Sequence, residues 1–228
     1  MSSLLDNLTG ETSCLLVSIP TNSVEPALAA QAGGADGLKV HINVTHHATG
    51  IQFGALKEEA ENIKKVIESV NIPVGLVPGE SLSLSLDTLQ KAAELGITFV
   101  DSYCQFWPAS IHKVDGVDLW AAFDSTYSFD EMCTIAAFPW VDAVEASIIP
   151  VSQYGAYLSW RELGLYLELR RSINKPLIIP SQCRIRPDDI PALKKLGLNN
   201  FLMGAIALGR EPEQIEQMTR EFRQALEA

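Results

Sequence analysis

Several kinds of protein are excluded by what this chain does not contain. Its four cysteines, Cys14, Cys104, Cys133 and Cys183, form no C-x-x-C pair. That excludes a zinc knuckle and a thioredoxin-type centre and leaves reduced thiols in a cytosolic protein as the expectation. Positive charge is scarce, with 17 Lys and Arg against 28 Asp and Glu and a net charge of −11. With no run of Lys and Arg, such a chain repels phosphate backbones, so DNA and RNA are not expected as partners. No apolar stretch approaches the ~20 residues that cross a bilayer. The opening MSSLLDNLTGETSCLLVSIP has no basic region, so neither a signal peptide nor a membrane partner is expected. A cytoplasmic location follows by default. The first turn, IPTNSVEP, has no glycine, unlike the Gly-rich first turn of dinucleotide-binding sheets.

What is present reads as an ordinary globular chain. Hydrophobic residues make up 47% and charged residues 20% of 228 positions, enough for one well-buried domain spanning 1–228. One local pattern recurs: a helical stretch ends in a short turn, mostly with glycine, and an apolar run follows at once. It appears in AAQAGGADGLKV, KAAELGITFVDSY, AAFPWVDAVEAS and KKLGLNNFLMG. Gly33, Gly96 and Gly197 stand where a left-handed helix cap is expected. Eight apolar runs result, at 14–20, 37–42, 74–77, 98–103, 119–124, 142–148, 177–181 and 201–204. Helices are expected at 58–70, 86–95 after Ser85, 129–138 after a Ser128–Glu131 capping box, 158–173, 189–197 and 212–228. The weakest helical stretch is 104–118.

Eight short strands buried on both faces and alternating with helices predict a closed α/β structure, a (β/α)8 (TIM) barrel of the phosphate-binding type. An open doubly wound sheet is the main rival. Alternate residues of a barrel strand point in and out. In GLKVHIN, Leu38, Val40 and Ile42 form the outward apolar set, leaving Lys39, His41 and Asn43 inward. The same alternation turns Asp101 and Glu145 inward and puts Asp124 at the tip of the fifth strand. Lys39, His41, Asp101, Asp124 and Glu145 are thus the candidate catalytic set at the barrel mouth. Burial lowers a lysine's pKa, which suits Lys39 to proton transfer or a Schiff base. A structural salt bridge is the bland alternative, as is a loop cap for Asp124.

After the seventh strand, IIPSQCRIRPDD offers Ser181, Gln182 and Arg184. After the eighth, the amides of Gly204, Ala205 and Ile206 open a short helix and suit a phosphate. Ser18, ending the first strand, is a further candidate substrate contact. His46 and His47 lie in the polar stretch 43–54, read as a solvated loop on the active face that can act as a lid. Phe106 and Trp107 either stack on a ligand or close the barrel top, and 81–85 reads as a mobile connection. Neither a cofactor nor a metal is expected.

From LLVSIP through NIPVGLV and AAFDSTYSFDE to LIIPSQCRIRPDDIPALKKLGLNNFLMGAIA, the chain resembles the N-acetylmannosamine-6-phosphate epimerases over nearly its whole length. The resemblance implies a (β/α)8 barrel, often a homodimer, that inverts a carbon of an amino-sugar phosphate by deprotonation and reprotonation. It also places the chain beside a wider group of phosphate-binding barrels that includes thiazole synthase and several aldolases. The departures fall on the chemistry. Pro78 stands where the family carries a catalytic lysine, and Gln182 replaces the glutamate of a Glu-Gly-Arg run whose arginine survives as Arg184. GGADGLKV is also similar to the start of a lysine-dependent barrel synthase that forms furan phosphates, which supports Lys39 as an imine former. Three expectations result: a sugar-phosphate isomerase or epimerase, a Schiff-base lyase or synthase using Lys39, and a non-catalytic barrel that binds a phosphorylated metabolite. A purely structural role fits badly with so costly an inward polar set.

Overall fold

The computed structural model describes residues 4–10, 12–80 and 84–228. Part of the expected mobile connection at 81–85, residues 81–83, lies outside them. Eight parallel strands close into a barrel in sequence order. They are β1 (Cys14–Ser18), β2 (Gly37–His41), β3 (Val74–Val77), β4 (Phe99–Tyr103), β5 (Asp118–Ala122), β6 (Ala143–Glu145), β7 (Leu177–Pro180) and β8 (Asn200–Met203), and β8 pairs with β1. The helices are α1 (Leu4–Thr9), α2 (Val24–Ala32), α3 (Leu56–Ser69), α4 (Leu86–Leu95), α5 (Phe129–Ala136), α6 (Trp160–Ser172), α7 (Ile190–Lys195), α8 (Ala205–Leu208) and α9 (Pro212–Glu227). Among the described residues, no helix is long and apolar enough to cross a membrane.

Local chemistry sets most helix starts. Ser85 accepts a hydrogen bond from the Thr88 N–H, and Ser128 and Glu131 form the expected capping box. The segment 104–118 holds only two 3-10 turns, Cys104–Phe106 and Ile111–Lys113, so β4 and β5 are joined without an α-helix. Trp107 packs against the outer core and, like Phe106, does not line the cavity described below.

The glycine caps divide. Gly96 and Gly197 are left-handed, but Gly33 is not, with φ −73°. Gly34 takes the left-handed turn instead, at φ 99°. Gly33 is small because α9 crosses it: a β-carbon there would lie 2.6 Å from Thr219 Cβ and 2.7 Å from the Glu216 carbonyl.

Two apolar layers flank the strands. Outward residues such as Leu38, Val40 and Ile42 pack beneath the helices. Inside, Leu16, Phe99, Trp120, Ala143, Ile178 and Leu202 fill the lower barrel, and α1 plugs its N-terminal end with Leu4 and Leu8. Phe99 and Trp120 stack at 3.7 Å. Gly75 makes room for them, since a β-carbon there would meet the Phe99 ring at 2.1 Å. This dry floor lies one inward step below Lys39, Asp101 and Glu145 and withholds water from them.

Candidate active site

Lys39, Asp101 and Glu145 arise from β2, β4 and β6, the strands that supply one layer of a barrel interior. The Lys39 Nζ donates to Asp101 Oδ2 at 2.8 Å and to Glu145 Oε2 at 2.6 Å, and all three residues are buried. The Ser147 hydroxyl donates to Glu145 Oε1. Asp101 Oδ1 is buried without a partner among the described residues.

Burial alone would strip Lys39 of its charge, as the sequence suggested. The two carboxylates reverse that, and its pKa lies above the ordinary lysine value. Burial and the neighbouring Glu145 charge raise Asp101 well above the usual carboxylate range. Burial also opposes charge on Glu145, but the Lys39 ammonium and the hydrogen bonds from Lys39 and Ser147 outweigh it, and its pKa falls. Charge is thus favoured on Lys39 and Glu145, and Asp101 is the more readily protonated of the two acids. The lowered pKa expected of a buried lysine is not found at Lys39.

His41 stands beside the trio. Its Nε2 and the Ser18 hydroxyl are 3.2 Å apart, and Asn22 brackets its backbone through two hydrogen bonds. The imidazole stacks on Phe53 and meets His46 edge-on, each at 4.9 Å. Burial first, then His46 and Lys39, hold it neutral well below the usual histidine value. Asn43 does not continue the inward series. Its φ of 51° turns the chain out of the barrel, and the side chain is exposed.

The segment 43–54 is not a solvated loop throughout. It folds back over His41, closed by a Thr45–Gln52 bridge and tied down by the Arg210 guanidinium on the Ala48 carbonyl at 3.1 Å. His46 lines the cavity, and burial, then Lys39, His47 and Arg210, lower its pKa to about 4. His47 pairs with Glu80 at 3.3 Å. Among the described residues, no group of three or more His, Cys, Asp or Glu is arranged to hold a metal.

Ser181, Gln182, Gly204, Ala205 and Ile206 line the other side of the same cavity. The Gly204 N–H already donates to the Ser181 hydroxyl at 2.9 Å, which leaves Ala205 and Ile206, the first two residues of α8, to present amides. Gln182 is buried and bonded on three sides, to the Ile149 N–H, the Ser147 carbonyl and the Tyr154 hydroxyl. Two candidates fall outside the cavity. Arg184 is exposed, its N–H donating to the Ala156 carbonyl beside Tyr157. Asp124 accepts from the Thr126 N–H at 2.8 Å and from Gln105 Nε2 at 2.7 Å, so it caps the β5–α5 turn. Those same contacts outweigh its partial burial and lower its pKa.

The cavity, about 140 Å³, opens at the C-terminal ends of the strands above the trio. Among the lining residues that sequence reasoning missed are Ser147, Tyr103, Tyr154 and Glu80. Inward alternation, carried one step past Asp101 and Glu145, would have found Tyr103 and Ser147. Tyr154 and Glu80 sit in loops, where no period applies.

No family model and no curated protein matches this sequence. Solved structures do. Tryptophan synthase from Mycobacterium tuberculosis superposes with a TM-score of 0.71 at 11% identity, covering 100% of both chains. Thiamine phosphate pyrophosphorylase from Pyrococcus furiosus gives 0.65 at 15% identity, over 97% of this chain and 98% of that one. Phosphoribosyl anthranilate isomerase from Thermus thermophilus gives 0.65 at 14% identity, over 92% and 98%. At these identities the likeness is one of architecture, and the chain has the (β/α)8 barrel fold of those proteins.

Proposed function

We propose that this protein is an enzyme that isomerises or epimerises a small phosphorylated sugar or carbonyl compound by proton transfer. The observation that carries the reading is the buried trio, where two carboxyl groups hold one lysine ammonium beneath one open cavity. The Glu145 carboxylate removes a proton from the carbon beside the carbonyl. The Lys39 ammonium stabilises the oxygen that becomes negative, and Asp101 holds a proton to return. His41, neutral and bonded to Ser18, contributes a polar edge rather than a charge. The phosphate rests against the Ala205 and Ile206 amides, framed by Ser181 and Gly204.

Two likenesses support the substrate class: the resemblance to the N-acetylmannosamine-6-phosphate epimerases, and structural neighbours named for phosphorylated compounds. Arg184 keeps the family's arginine in sequence, but its exposed position favours backbone amides as the phosphate grip. A Schiff-base route through Lys39 is disfavoured, because its ammonium is bound by Asp101 and Glu145 on two sides.

The test is solvent exchange. Aldose, ketose and amino-sugar phosphates are incubated with the protein in D2O and followed by proton NMR. Deuterium should enter the carbon beside the carbonyl of one of them, and Glu145→Gln should slow that entry by about 10²–10⁴-fold. Exchange that survives Glu145→Gln unchanged would remove the trio from the mechanism.

A further inference from the structure

Gln182 stands where the epimerases carry a glutamate, and its three bonds leave it one orientation. Its Oε1 must face the Ile149 N–H, 3.0 Å away, because an N–H needs an acceptor. Its Nε2 must then face the Ser147 carbonyl at 3.0 Å, and the second Nε2 hydrogen reaches the Tyr154 hydroxyl at 2.6 Å. An amide nitrogen only donates, so the Tyr154 oxygen accepts from it. With its oxygen accepting from Gln182, the Tyr154 proton meets no acceptor in hydrogen-bond geometry among the described residues, and Tyr154 lines the cavity.

We infer that Tyr154 donates its hydroxyl proton as a hydrogen bond to an oxygen of the bound substrate, and that Gln182 is the positioning residue that turns the proton that way. The inference rests on the proposed carbonyl chemistry for its substrate, but not for the orientation of the phenol. It also gives the amide at 182 a purpose. A glutamate there would lose both donations and would accept the Tyr154 proton itself, so restoring the family's carboxylate turns the donor away from the cavity.

Two measurements test this. The first needs no ligand: the Tyr154 resonance of [13Cζ]tyrosine protein, identified by its loss in Tyr154→Phe, is titrated with pH. Gln182 favours the phenolate, so Gln182→Glu should move the midpoint up by about one pH unit or more, and the neutral, similarly sized Gln182→Met should move it up by less. A midpoint unmoved in both variants overturns the inference. The second uses phosphoglycolohydroxamate, a phosphorylated mimic of an enediolate, with inorganic phosphate as control, by titration calorimetry. Tyr154→Phe and Gln182→Met should each weaken the hydroxamate about 10-fold or more and leave phosphate unchanged. Equal binding by wild type and both variants overturns Tyr154 as the donor. If wild type does not bind the hydroxamate, the proposed substrate class falls and takes the donation to it along, whereas the titration alone still decides whether Gln182 orients Tyr154.

Discussion

Replacing Lys39 by methionine should cost the fold several kilocalories per mole and make its stability depend on pH in a predictable direction. Methionine fills much of the same space, so the loss is mainly electrostatic. The ammonium lies 2.6 Å from Glu145 and 2.8 Å from Asp101, and without it the Glu145 charge is buried and uncompensated. Breaking a buried pair from one side costs about 3–5 kcal/mol. With a urea dependence of about 3 kcal/mol/M, the unfolding midpoint should drop by about 1–1.7 M.

The sign with pH follows from the same charges. In wild type Glu145 has a lowered pKa, so its contribution is present at neutral pH and fades only as pH falls through that folded value. In the variant the Glu145 pKa lies above its unfolded value, and the native chain takes up a proton that the unfolded chain has released. Its relative stability therefore rises as pH falls from 7 toward 5, by up to about 1.4 kcal/mol per pH unit. The gap between the two proteins should be widest at pH 7 and narrower at pH 5.5. Urea unfolding followed by far-UV circular dichroism at both values is the assay. A gap under about 1 kcal/mol at pH 7, or one that does not narrow on acidification, would refute the charged trio.

Three further outcomes are expected. Gly33→Ala introduces a β-carbon into α9 without backbone strain and should cost about 1–3 kcal/mol, whereas Gly164→Ala, in α6 with open space around it, should stabilise by about 1 kcal/mol; thermal unfolding reads both. His46 is held neutral down to about pH 4, so the closed form of the 43–54 segment loses stability as pH falls from 6.5 through 4. Exchange of the His46 and Phe53 amides, corrected for its intrinsic pH dependence, should quicken by about 100-fold over that window, and His46→Gln should flatten the change. Asp124→Ala should lower stability by about 1 kcal/mol through loss of its cap and leave turnover unchanged, because the side chain lies outside the cavity.

Inward residues within strands were mostly legible, and several residues beyond the strand ends were not. Lys39 and Glu145 could be placed inside the barrel because each sits between outward apolar neighbours, and Asp101 because it follows the outward Val100 on a segment of period two. Arg184 and Asp124 were read toward the mouth from their places in the chain, yet both follow strand ends, where no period sets a direction. Asn43 failed similarly, two residues past the end of β2, where a left-handed turn ends the alternation. The fold itself was readable because eight apolar runs, short turns and helical spacing all agree.

By itself, then, the sequence determined the barrel, the boundaries of most elements and the inward face of each strand, since these depend on local periodicity, capping and turn chemistry. Only the tertiary structure decided that Lys39 meets partners 62 and 106 residues away, that they keep it charged, and that the loop after β2 closes over His41. Those properties depend on distances across the barrel and on the water its floor excludes, and both come into being only when the last strand pairs with the first.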